Sequence, residues 1–313
     1  VVSGADRLTT RRRAGYRLLG RGFDYLLHLR PAEWPIMAAH TALGYLLAVG
    51  VRGAAAGERI GPAALGLLLW VVCLNGGTLA INSAFDRDEG DIAYLRNPPP
   101  PPRGLFAFGF GLMVLGLAAA AVLLPRAYAA AYAVCLAMSV LYSVPPVRLK
   151  AVAGADWLIN MWGFGSFTPF AGWAATGLAV YPAGRWVLLA FCPLFAALYP
   201  LTQLYQLEED ERRGDSTLAR ILGVDRSLAA ARAAACAAFA LFAAGALRAG
   251  WRWPADWLRW AGLAIAALAW ALVLVPWSRR AHRMTPDEHQ QGMHRALAAW
   301  ALTDLVVVLG WGA

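Results

Sequence analysis

Two clusters of acids interrupt an otherwise apolar chain. The first closes the stretch Trp70 to Pro102, WVVCLNGGTLAINSAFDRDEGDIAYLRNPPPPP. It holds Asp86, Asp88, Glu89 and Asp91, followed by Arg96 and a proline run. The second, YQLEEDERRGDSTLARIL from Tyr205 to Leu222, holds Glu208, Glu209, Asp210, Glu211 and Asp215. Each follows an apolar run long enough to help cross a bilayer. Carboxylates at the mouth of a membrane helix are costly when dry and unpaired, so they usually serve a function. Asn82 and Asp86 have helical spacing and share a face, as do Gln206 and Asp210, while Asp88 and Asp91 can share another. Oxygen donors grouped this way suit a hard divalent cation such as Mg2+, which commonly bridges a few carboxylates to substrate phosphates.

The elements that must carry these clusters are membrane helices. The 313 residues are 59% hydrophobic and include 14 Trp, too apolar for an ordinary soluble domain. Repeated apolar stretches near bilayer length read as an all-α polytopic membrane protein. Residues 1–34 form a basic N-terminal segment in which GYRLLGRGFDYLLHLR, Gly15 to Arg30, reads as an amphipathic interfacial helix. Residues 35–313 form a single transmembrane domain of about nine spans. These run near 35–51, 62–85, 105–124, 127–144, 157–177, 186–206, 227–247, 257–277 and 296–311, with Ser227 as a cap for the seventh. The acid motifs follow spans two and six, which suggests two pseudo-repeated halves facing one cavity. Pro145 and Pro146 stop the fourth span, and Arg148 and Lys150 lie just beyond. No secretory signal peptide is evident. Cys73, Cys135, Cys192 and Cys236 lie in apolar runs without CxxC pairing and read as small buried hydrophobes.

The net charge of +9 invites a nucleic-acid reading, but topology accounts for it. The N-terminus and the loops after spans two, four, six and eight carry 20 Arg and Lys, against six on the other side. The positive-inside rule therefore makes the richer side cytoplasmic, and the membrane expected is a bacterial inner membrane. Both acid clusters and the loop YSVPPVRLK, Tyr142 to Lys150, then face the cytoplasm together.

Such a rim above apolar helices suits a ligand with a diphosphate head and a hydrocarbon tail. Mg2+ would bridge carboxylate and diphosphate oxygens, and Arg148, Lys150 and Arg96 would neutralise the remaining charge. The leaving diphosphate would be stabilised as an allylic C–O bond breaks, and aromatic faces would stabilise the cation. A hydrophobic or aromatic acceptor held nearby would then be alkylated.

These residues resemble the UbiA superfamily of intramembrane prenyltransferases. That family carries an NDxxDxxxD-type motif after its second helix and a DxxxD-type motif after its sixth. NSAFDRDEGD, Asn82 to Asp91, is similar to the first, with Gly90 at the position of its last acid and Asp88, Glu89 and Asp91 around it. QLEED, Gln206 to Asp210, is similar to the second, with Gln206 in place of its first Asp. YSVPPVRLK and LRPAEWP resemble the family's loop after helix four and its approach to helix one. The resemblance implies helices around a central cavity with a cytoplasmic cap. It implies Mg2+-dependent transfer of a prenyl group from an isoprenyl diphosphate to an aromatic or lipid acceptor in the bilayer. The metal set would be drawn from Asn82, Asp86, Asp88, Asp91, Glu209, Asp210 and Asp215. Asp86, Asp210, Arg148 and Lys150 would carry the chemistry, and Asn82, Arg96, Arg148, Lys150, Tyr142 and Gln206 would bind substrate. Gly90 and Gln206 leave room for a terpene cyclase of the same family, and more remotely for a cation transporter. The prolines Pro98 to Pro102 read as a strut in the cap.

Blander roles compete for other polar residues. Asn82 and Asp86 could merely solvate a helix end. Arg30, Arg148 and Lys150 could anchor to lipid headgroups. His40 and Asn160 could join helices or touch substrate. A structural partner is expected for the intramembrane Asp304. His282, His289 and His294 are expected to be solvated.

Overall fold

The computed structural model describes residues 10–86, 95, 97–205 and 217–312 and is helical throughout, with no strand among these residues. The basic segment forms α1 (Thr10–Leu19) and α2 (Phe23–His28). One continuous amphipathic helix was expected here, but the chain breaks at Gly20, whose φ is +53°. The spans follow as α3 (Trp34–Ala55), α4 (Ile60–Asp86), α5 (Leu105–Leu123) and α6 (Arg126–Ser143). Next come α7 (Ala155–Asn160), α8 (Thr168–Ala175), α9 (Pro182–Gln203), α10 (Leu218–Arg248), α11 (Trp257–Arg280) and α12 (Pro286–Trp311).

Seven of these helices are long and apolar enough to cross a membrane: α3, α4, α5, α9, α10, α11 and α12. The fourth and fifth expected spans are helical but stand outside the seven. The fourth is the 18-residue α6. The fifth is divided, because the π-helical stretch Met161–Phe167 separates α7 from α8. A second π-helical stretch, Leu69–Gly76, lies inside α4. The outward faces carry bare apolar side chains such as Leu115, Val122, Leu258 and Leu272, as a lipid solvent permits.

Two large apolar cores divide the interior, with a small third around Leu29, Ala80 and Leu105. One is built from α4, α5, α6 and α8 around Trp70, Met113, Tyr128 and Tyr132. The other is built mainly from α9 to α12 around Phe191, Phe242, Trp270 and Trp300. The central helices α3 and α8 cross at glycines. A Cβ on Gly44 would overlap the Pro169 carbonyl, and one on Gly172 would overlap that of Thr41. Small residues let backbones approach this closely in a membrane, where no water-driven collapse presses helices together.

Ser227 is not a cap. The helix begins at Leu218 with Thr217 before it, and its break falls at Gly223, leaving Ser227 buried within the helix. The proline run is not helical and is held from below. His28 Nε2 donates to the Pro99 carbonyl (3.1 Å) and the Tyr25 hydroxyl to that of Arg103 (2.5 Å).

Candidate functional site

A polar seam joins the end of α4 to the end of α6. Thr78, Asn82 and Asp86 recur at helical spacing and so line one face of α4. Ser139 and Ser143 recur likewise on α6. The Thr78 hydroxyl donates to Ser139 Oγ (2.8 Å), and one turn nearer the rim Ser143 Oγ donates to Asn82 Oδ1. One turn further, Asp86 meets the loop that follows α6. Pro145 and Pro146 stop that helix, and Arg148 N bonds back to the Val144 carbonyl (3.0 Å). Arg148 itself takes a left-handed φ of +36°. The loop thus turns two cations back onto the acid: Lys150 Nζ pairs with Asp86 Oδ1, and Arg148 Nη2 lies 3.8 Å from the same oxygen. All three side chains are largely withdrawn from solvent, which strengthens their attraction.

A cavity of about 340 Å³ opens beneath the seam. Asn82, Thr78, Ser139 and Tyr142 contribute its polar wall, and Trp70, Phe164, Phe195 and Tyr199 its aromatic one. Tyr142 and Tyr199 hydroxyls are 3.1 Å apart. Both π-helical stretches border this space, through Trp70, Leu74 and Asn75 from one and Gly163 and Phe164 from the other. Such widened turns often mark functional sites. A second cavity of about 290 Å³ lies between α3 and α12, and shares Glu33, Met37, Asn75, Phe164, Phe195 and Thr202 with the first.

The approach to α3 places Arg30 in the cavity wall, against the expectation that it reaches lipid headgroups. It turns inward because its φ is +49° and its guanidinium finds Ser83 Oγ (3.3 Å) and Glu33 Oε1 (3.8 Å). Burial pushes the Glu33 carboxyl above its ordinary value, and Arg30 opposes that rise.

Sequence reasoning missed the fully buried Asp156 at the start of α7. Its carboxylate accepts from Gly154 N (2.9 Å), Gln203 Nε2 (3.0 Å) and Leu218 N (3.3 Å). Gln203 in turn accepts from Ala219 N (3.1 Å). Asp156 therefore fastens together the two ends of the chain that flank the second acid motif. No local pattern announces this, since Gln203 lies 47 residues away.

His40 and Asp304 meet in the apolar interior. Nε2–H of His40 donates to the Gly165 carbonyl (3.2 Å), leaving Nδ1 3.3 Å from Asp304 Oδ2, to which Trp300 Nε1 also donates (3.2 Å). Asp304 thus has the structural partner expected of it, while His40 both joins helices and borders the second cavity. Asn160 bonds within its own helix, to the Asp156 carbonyl, and lines the first cavity.

The histidine expectation holds for His282, which is exposed and pairs with Asp225 (2.8 Å), and for His294, which is exposed as well. His289 is buried and accepts from Trp277 Nε1 (2.9 Å), because Gly292, one turn along α12, lets the indole lie flat against the helix. His294 lines the second cavity.

The remaining candidates, Asp88, Glu89, Asp91, Arg96, Gln206, Glu208, Glu209, Asp210, Glu211 and Asp215, lie outside the described residues. Among the described residues no three His, Cys, Asp or Glu side chains gather into a metal set. Asp86 and Asn82 nevertheless present oxygen atoms at the rim, Asp86 Oδ1 as the partner of Lys150 and Arg148 and Asn82 Oδ1 as that of Ser143. That donor chemistry fits a hard cation completed by acids of the neighbouring segments.

The profile of the UbiA prenyltransferase family matches residues 38–298. No curated protein matched the sequence significantly. Among solved structures, a UbiA homologue from Archaeoglobus fulgidus bound to GPP and Mg2+ is 20% identical, covering 91% of this chain and 99% of that one, with a TM-score of 0.65. A digeranylgeranylglyceryl phosphate synthase is 15% identical over 92% and 97%, with a TM-score of 0.67. A UbiA homologue from Aeropyrum pernix K1 is 23% identical over 88% and 95%, with a TM-score of 0.59. At these identities the structures attest the shared fold.

Proposed function

The chain belongs to the UbiA prenyltransferase family, and from that premise we propose that it transfers a prenyl group from an isoprenyl diphosphate, with Mg2+, to an acceptor within the membrane. The observation that carries this reading is the meeting of Asp86 with Lys150 and Arg148 directly above an aromatic-walled cavity. Relatives of the same fold support the donor and the ion, since one is described with GPP and Mg2+ and another with DMAPP and Mg2+.

In this reading Asp86 and Asn82 hold the ion together with Asp88, Asp91, Glu209, Asp210 and Asp215. Bound there, Mg2+ supplies positive charge to the diphosphate oxygens. Lys150 and Arg148 exchange part of their attraction to Asp86 for the diphosphate and neutralise it as the allylic C–O bond breaks, its electron pair leaving with the phosphate oxygen. Arg96 and Gln206 contribute polar contacts at the cap. Tyr142, Tyr199, Phe164 and Phe195 exclude water and offer ring faces to the allylic cation. The acid motifs face the cytoplasm, in a bacterial inner membrane, and residues 35–313 act as one catalytic domain.

The test is Mg2+-dependent release of diphosphate from geranyl diphosphate by the full chain in detergent micelles. Asp86→Asn and Asp210→Asn should each abolish it, and unchanged release in either variant rejects the reading. Gly90 and Gln206, which depart from the family motifs, favour a second outcome on the same donor, internal cyclisation. A cyclic hydrocarbon or alcohol formed without any acceptor would establish it in place of transfer.

A further inference from the structure

Where the two cavities meet, two buried polar atoms have no hydrogen-bond partner among the described residues: Glu33 Oε1 and Asn75 Nδ2. Both residues line both cavities. Asn75 is only 6% exposed and sits in the π-helical stretch of α4. The wall it shares also carries Met37, Leu74, Phe164 and Phe195. A buried donor or acceptor without a partner costs about 1–3 kcal/mol, so a matched pair of them in one wall needs an explanation.

Helix capping does not supply it. Glu33 occupies the position just before α3 yet makes no side-chain capping bond. Ion pairing explains it only in part, since Arg30 is 3.8 Å from Oε1 and also serves Ser83.

We propose that Glu33 and Asn75 form the polar subsite for the acceptor, and that the group they recognise is an uncharged hydroxyl. The assignment rests on the reading of the chain as a prenyltransferase. It follows from the chemistry of the two orphaned atoms. One is an acceptor and the other a donor, and a hydroxyl satisfies both at once by donating to Glu33 Oε1 and accepting from Asn75 Nδ2. A carboxylate can accept from Asn75 but meets the Glu33 oxygen with like charge. Arg30 does not make up the difference, because it is already opposed by Glu33 and the two present no net charge to the cavity. An ammonium can donate to Glu33 but leaves the Asn75 amide unmatched. A hydrocarbon leaves both atoms unsatisfied.

The experiment uses three probes of one shape, 2-naphthol, 2-naphthoate and naphthalene. Their binding to the full chain in micelles is measured at neutral pH by equilibrium dialysis against protein-free micelles. Diphosphate release from geranyl diphosphate is followed in parallel. The wild type should bind 2-naphthol about 10-fold more tightly than either other probe, the ratio that one satisfied buried pair provides. Glu33→Gln and Asn75→Leu should each erase most of that preference while leaving the binding of naphthalene within about twofold. Equal binding of 2-naphthoate, no binding of 2-naphthol, or an undiminished preference in both variants overturns the subsite. Absence of diphosphate release from the wild type strikes instead at the prenyltransferase reading, independently of how the probes bind.

Discussion

Asp86 ends the helix that leads into the first acid motif, and Asp156 fastens the chain on either side of the second, yet they are neutralised by opposite means. Asp86 is paired with full positive charges from a loop, Lys150 and Arg148. Asp156 is fully buried and surrounded by neutral donors, a side-chain amide and two backbone N–H groups. Cations on long side chains can be shared with an arriving anion. Backbone N–H groups cannot be moved without opening the fold. The first acid is thus arranged for exchange and the second for fastening.

The comparison can be broken most forcefully at Asp86. Asp86→Asn should lower Mg2+-dependent diphosphate release by at least about 100-fold, since it removes charge at the point where charge develops, a larger effect on activity than on stability. Asp156→Leu should do the reverse in kind. It strands the Gln203 amide and the Leu218 N–H, and should cost about 3 kcal/mol in denaturant unfolding. Loss of activity without loss of stability in that variant would erase the distinction drawn here. Gly44→Ala, at the α3–α8 crossing, should destabilise by about 1–3 kcal/mol through overpacking, measured by the same unfolding. Ser143→Ala removes the donor to Asn82, worth about 1 kcal/mol, and should raise the Mg2+ concentration for half-maximal release several-fold. The smallest effect concerns pH. Glu33 holds its proton more tightly folded than unfolded, so stability should fall as pH rises from the ordinary glutamate value through the raised one. Glu33→Gln should flatten the stability profile across that window.

Much of the first motif was legible because its signals are local. Asn82 and Asp86 share a face by spacing, and the positive-inside count placed Arg148 and Lys150 on the same side before any contact was known. The helical spans were legible for the same reason, as runs of apolar residues. The divided fifth span was not, because a π-helical turn changes the phase of a helix without changing its composition. Asp156 and Gln203 were silent because their meaning lies in a contact between distant segments. Arg30 and Glu33 were visible as charges on either side of Pro31, but nothing in the spacing told whether they turn toward lipid or cavity. The backbone at Arg30 decides that.

The widened turn at Leu69–Gly76 sets the angular phase of everything beyond it in α4. Each residue advances an α-helix by about 100°, so removing one residue there would swing Thr78, Asn82 and Asp86 together around the barrel of the helix. The serines of α6 would then face Leu79 or Ser83, and Asp86 would leave the reach of Lys150, although no side chain of the motif had been altered.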